Sequence, residues 1–157
     1  MLKSTKQKPR ILFVDDSKTV RKSGLKILSN DYAVSEASNG KEAWQILQNG
    51  DSFDVIFADI QMPEMNGLQF LQKIRSMDDH RTAQLPVIMI TGHSDSHAAM
   101  RAVFEMGATG FISKPFSDID LISTAHSYLD LTRKMELLEK LKGIDLSLIH
   151  ISEPTRR

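Results

Sequence analysis

The sequence predicts an α/β sandwich, in which a parallel five-stranded sheet lies between layers of helices. Three observations lead there. Unbroken apolar runs recur at residues 11–14 (ILFV), 55–58 (VIFA) and 87–90 (VIMI), and short runs of this kind fit strands covered on both faces. Helical patterns alternate with these runs along the chain. Polar residues able to do chemistry stand just past several of the runs, where an open parallel sheet collects its ligands.

The elements follow in order. After the first run, Val20, Gly24, Ile27 and Leu28 mark a helix. The more polar YAVSEA is a second strand, suited to a sheet edge. Ala43, Ile46 and Leu47 mark the second helix, with Asn39 as its cap. The run at 55–58 is the third strand, and Leu68, Leu71 and Ile74 mark the third helix. The run at 87–90 is the fourth strand, followed by a helix carrying Ala99, Val103 and Met106 and stopped by Gly107. TGFIS is a short fifth strand that Pro115 terminates. The fifth and last helix starts near Ser117 or Asp118 and continues to about Lys142.

Composition narrows the function classes. With 157 residues, 41% of them hydrophobic, the chain can bury a proper core without staples. Zero formal net charge leaves no basic stripe to argue for nucleic acid. The absence of cysteine excludes disulfides and thiolate metal sites. No apolar segment is long enough for a signal peptide or a membrane span, so a cytoplasmic location is expected. Residues 1–9 are expected to be a flexible basic arm.

Right-handed crossovers bring the carboxyl ends of parallel strands to one rim. That places Asp15 and Asp16 after the first strand, Asp59 after the third, Thr91 after the fourth and Lys114 after the fifth. Singly, each has a plain explanation: an Asp pair is ordinarily a turn or a cap, and Thr91 serves equally as a cap of the fourth helix. Their joint placement is what points to a site. Two carboxylates about 4 Å apart at an effective dielectric near 20 repel by roughly 4 kcal/mol. A divalent cation relieves that repulsion, and an all-oxygen ligand set selects a hard ion, Mg²⁺ before Ca²⁺. Lys114 can meet a phosphoryl oxygen, and Thr91 offers a hydroxyl. A carboxylate, Mg²⁺, a lysine and a hydroxyl together suit the making of an acyl phosphate.

The segments ILFVDDS, DVIFADIQMPEMNGLQFL, PVIMITG and GATGFISKPF resemble the receiver domain of two-component response regulators, over about residues 10 to 130. The resemblance implies a flavodoxin-like, doubly wound sheet of order 2-1-3-4-5 with five helices, the last extended. It implies that Asp59 accepts a phosphoryl group from a histidine kinase. Asp16 and Asp59 would ligate Mg²⁺ directly, Asp15 largely through water, with the backbone carbonyl of Gln61 completing the set. Thr91 and Lys114 would bind the phosphoryl oxygens, and Phe111 stands at the family's aromatic switch position, although it also suits an ordinary core. Gln61 and His93 flank the expected path of the water that removes the phosphoryl group. His93 and His97 have metal-binding spacing, but with no third ligand beside them solvent exposure is expected. Asn66 replaces the usual acidic residue before Gly67, and Asn tolerates turns equally well.

Expected partners are a sensor histidine kinase or phosphotransfer protein, with no direct nucleic-acid binding and no membrane. Arg101, Glu105 and Asp118 lie where such proteins usually bind partners. A signalling phosphoacceptor with at most slow self-dephosphorylation is expected, and not a turnover enzyme. A hydrolase of the haloacid dehalogenase type needs a second acid where Ser17 stands. A receiver-like scaffold that works without phosphorylation is the other alternative.

Leu121, Thr124, Tyr128, Leu131, Met135 and Leu138 recur at steps of three and four, a heptad seam. Residues 131–145 are therefore read as a helical extension or coiled-coil connector that carries a homodimer or leads to an output domain. The other reading is a single amphipathic helix. Residues 146–157 continue no pattern, and LSLIHISEPTR resembles translated sequencing-adapter sequence, so this tail is expected to be non-native.

Overall fold

A computed structural model describes residues 7–92 and 97–142. His93, most of the basic arm and the tail at 146–157 lie outside the described residues. Five strands run β1 (Arg10–Val14), β2 (Ala33–Ala37), β3 (Val55–Asp59), β4 (Val87–Thr91) and β5 (Gly110–Ser113). They form one all-parallel sheet of order β2-β1-β3-β4-β5. The helices are α1 (Lys18–Leu28), α2 (Gly40–Gln48), α3 (Gly67–Arg75), α4 (His80–Ala83), α5 (His97–Glu105) and α6 (Asp118–Lys142). The strand order is the one implied by the family resemblance.

The continuous apolar runs supply both faces of the sheet, because successive side chains on a strand point to opposite sides. Leu12, Val14, Ile56, Ala58, Val87 and Met89 pack with Ala43 and Leu47 of α2, Phe70, Leu71 and Ile74 of α3 and Val103 of α5. Ile11, Phe13, Val55, Phe57, Ile88 and Ile90 pack with Leu28 of α1 and Leu121, Ala125 and Leu129 of α6. The central strands β3 and β4 are buried throughout. The polar YAVSEA segment gives β2 at one edge, and the short β5 forms the other.

Helix starts are encoded locally. The Asn39 side chain accepts from the Glu42 N–H, and Asn66 and Gln69 form a reciprocal capping box at α3. Ser17 caps α1 by accepting from the Val20 N–H. At α6 the Ser117 hydroxyl accepts from the Asp120 N–H at 3.1 Å, while Asp118 and Asp120 in the first turn favour the helix dipole.

Among the described residues there are six helices where five were expected. The extra one, α4, is a four-residue turn with no buried residue, too short to show a 3.6-residue period. It is held instead by tertiary contacts. Arg75 donates to the carbonyls of Ala83 (3.1 Å) and Leu85 (2.7 Å), and to Gly107 O and Thr109 Oγ1. One guanidinium thus ties α3, α4 and the amino ends of β4 and β5 together; its burial lowers the Arg75 pKa from the ordinary value.

Gly24 of α1 lies against the Phe13 ring, and a Cβ there would sit 2.6 Å from two ring carbons. Phe13 is fully buried and stacked on Phe57, with ring centroids 5.9 Å apart, so it has nowhere to retreat. Gly24→Ala should therefore destabilise the domain by about 1–2 kcal/mol despite the better helix propensity of alanine. Urea unfolding checks this as a lower midpoint with an unchanged slope.

Candidate functional site

The sheet ends in polar residues on one rim. Asp15 follows β1 directly and is fully buried. Its N–H donates to Ala37 O at 3.1 Å, its Oδ1 accepts from the Ser17 N–H at 2.8 Å, and its carbonyl accepts from Arg21 at 2.8 Å. Arg21 also donates to Glu36 Oε1 at 2.9 Å, which locks the β1 end to β2. Asp16 next to it is exposed. Asp59 and Thr91, expected just past their strands, are the last residues of β3 and β4 and are each 5% exposed. Lys114 follows β5, and its N–H donates to Thr91 O at 2.8 Å.

The side chains converge. One carboxylate oxygen from each of Asp15, Asp16 and Asp59 can be chosen so that all three lie within 4.8 Å of one another. Lys114 Nζ stands 3.0 Å from Asp15 Oδ2 and 3.2 Å from Asp59 Oδ2. The bond to Asp59 has hydrogen-bond geometry. The approach to Asp15 is an ion-pair contact without it, so the enclosed Asp15 Oδ2 has no hydrogen-bond donor. Asp59 Oδ1 accepts a long bond, 3.3 Å, from the Gln61 N–H.

Burial pushes the Asp59 carboxyl up to about 6, with the Asp15 charge adding to the rise and Lys114 and the Gln61 N–H only partly offsetting it. For Lys114 burial acts to lower the pKa, but the Asp15 and Asp59 carboxylates outweigh it and the net change is upward. The lysine therefore stays charged while three acids face it. One positive charge does not balance three carboxylates, and the excess negative charge calls for a cation. An all-oxygen set fits a hard divalent ion.

Phe111 sits half-buried on β5, opposite Met89 of β4, with its ring 6.2 Å from the Phe104 ring of α5. From this edge strand it packs against the core cluster on one face of the sheet. Gln61 is exposed beside Asp59. His97 opens α5 and is exposed. Arg101, Glu105 and Asp118 are exposed as well.

The model of the response regulator receiver domain matches residues 11–126. The chain belongs to this family. The receiver is 36% identical over 111 residues to a chemotaxis protein CheY homolog of Campylobacter jejuni, covering 69% of this chain and 82% of that protein. It is 39% identical over 114 residues to chemotaxis protein CheY1 of Helicobacter pylori, covering 69% and 86%. The solved chemotaxis response regulator CheY4 of Vibrio cholerae superposes with a TM-score of 0.70 at 30% identity, covering 78% of this chain and 99% of that one. Receiver domains bind Mg²⁺ at an acidic pocket, and the Asp15, Asp16 and Asp59 cluster fits such an ion. They interact with histidine kinases or phosphotransfer proteins. Among the described residues no helix is long and apolar enough to cross a membrane.

Sequence reasoning missed Arg21 and Arg75, because a long side chain that reaches backbone carbonyls leaves no motif. It also gave Lys114 only a phosphoryl-binding role, whereas the lysine bridges Asp15 and Asp59.

A pH dependence follows from the raised Asp59 value. A carboxyl that titrates near 6 folded but near 4 unfolded contributes stability that is full below about pH 4 and is lost as pH rises through 6. Asp59→Asn removes that dependence. In EDTA, urea unfolding should find the variant gaining about 2 kcal/mol on wild type between pH 4 and pH 7.5. A constant difference across that range would contradict the assignment.

Proposed function

We propose that Asp59 is the phosphoacceptor of a signalling switch, phosphorylated by a sensor histidine kinase or phosphotransfer protein. The observation that carries this reading is the buried Asp59 carboxylate, held by Lys114 within an acidic, cation-demanding cluster. An Asp59 oxygen attacks the phosphorus of a phosphohistidine, the P–N bond breaks, and its electron pair returns to the imidazole, which takes up a proton. With a pKa of about 6, Asp59 is mostly the nucleophilic anion at neutral pH.

Asp16 and Asp59 would hold Mg²⁺ directly, with Asp15 acting largely through water and the Gln61 carbonyl completing the protein ligands. When bound, the ion supplies charge compensation for the incoming phosphoryl oxygens. Lys114 orients one Asp59 oxygen now and pairs with a phosphoryl oxygen afterwards. Thr91 donates its hydroxyl to another phosphoryl oxygen, and this movement frees room for Phe111 to turn inward. The coupling biases two states of the β4, α5 and β5 face, a shift of a few kcal/mol at most. Gln61 and His93 tune the lifetime of the phosphoryl group, so any hydrolysis is slow self-dephosphorylation and not turnover.

Residues 10–130 form the switch unit, which acts in the cytoplasm, and residues 131–145 a connector through which a second copy binds. Residues 146–157 are not part of the native protein.

Exposure to acetyl phosphate and Mg²⁺ should add one phosphoryl group to wild type and none to Asp59→Asn, read by intact mass. Depletion of the donor that persists in Asp59→Asn but disappears in Asp15→Asn would overturn the reading in favour of a hydrolase. Without any donor, millimolar Mg²⁺ at pH 7.5 should raise the wild-type melting temperature. Asp15→Asn and Asp16→Asn should each reduce that rise.

A further inference from the structure

The sheet does not use up α6. Its inner stripe of Leu121, Ala125 and Leu129 is buried, and Tyr128 closes that contact by donating to Thr109 O at 3.3 Å. The backbone then stays helical to Lys142, about 20 Å further at 1.5 Å per residue. Over that stretch Leu137, Leu138 and Leu141 are 55%, 44% and 73% exposed. At about 100° per residue, these three centre roughly 170° around the axis from the buried stripe. The domain's own sheet cannot cover them. A helical segment of this length standing alone is marginal in water.

The order of charges says what covers it. In the frame that places Leu131 and Leu138 at d and Met135 at a, Lys134 is a g residue and Glu139 the e residue five positions on. Those are the positions that meet across a parallel, in-register two-stranded coil. In an antiparallel pair g positions would face g and e positions e, so Lys134 and Glu139 would not meet. Leu141 flanks the seam at g, while Arg133 and Lys140 keep the outer face polar. Leu137 stays outside the seam.

We propose that α6 beyond Leu129 pairs with the same helix of a second copy of this chain as a parallel coiled coil, Lys134 lying opposite Glu139 of the partner subunit. The proposal deepens the homodimer reading of the connector and does not depend on the phosphorylation chemistry. The two switch units are thereby held side by side with their connectors leaving in the same direction, an arrangement that lets both report to one symmetric output.

The cysteine-free chain allows a clean test without removing any native thiol. Leu138→Cys, at a d position, should form a disulfide-linked dimer under mild oxidation, and Lys140→Cys, on the outer face, should not. Adding Lys134→Glu to Leu138→Cys should slow cross-linking several-fold, and adding Glu139→Lys as well should restore it. Sedimentation velocity on the unmodified chain should show mass rising towards a dimer with concentration. A dimer that forms while Leu138→Cys fails to cross-link, or that ignores the charge swap, overturns the parallel seam and leaves the homodimer standing. A monomer at every concentration that never cross-links overturns both.

Discussion

Asp15 and Asp59 are buried side by side where β1 and β3 end, and the Lys114 ammonium 3.0 Å from one and 3.2 Å from the other is what lets them stay there. The three groups come from strand ends far apart in the chain, so this contact exists only when the sheet has closed in its β2-β1-β3-β4-β5 order. The compensation is incomplete by one charge or more. That deficit shows in an Asp59 carboxyl pushed up to about 6 by burial and by the Asp15 charge. A site that is unstable in this way responds to whatever supplies positive charge, or changes the charge on Asp59, which is the physical requirement for a switch.

The fold serves that tension by fixing the members that must not move. Asp15 is pinned through its N–H, its carbonyl and Oδ1, and Arg21 ties the same turn to Glu36 on the edge strand. At the opposite end of the sheet Arg75 gathers carbonyls from α4 and from the turn before β5. Between these fixed ends lies α5, of which Val103 is the one buried residue, with Phe104 exposed and in ring contact with Phe111. Few buried contacts make an element easy to shift. This lightly anchored helix therefore neighbours the aromatic residue that the proposed switch would move.

Much was legible in the sequence because it depends on local rules. Runs such as ILFV and VIMI announce two-sided strands, and Asn39 announces a helix start by chemistry confined to one turn. The five polar residues at the rim were legible too, since any parallel sheet with right-handed crossovers gathers its strand ends. The helix α4 was not, because four residues held by Arg75 from another helix show no period. Nor was the role of Arg21, whose partners are the Asp15 carbonyl and Glu36 on β2.

What the sequence by itself determined is which residues could form the site and which elements carry them to one edge. Those follow from apolar patterning and from the handedness of the chain. Only the tertiary structure decided how the charges settle: which oxygen Lys114 bonds and which it merely approaches, and which carboxylate is fully enclosed. The physical reason is that burial and charge–charge distance are properties of neighbours in space. A string of residues specifies those neighbours only by folding.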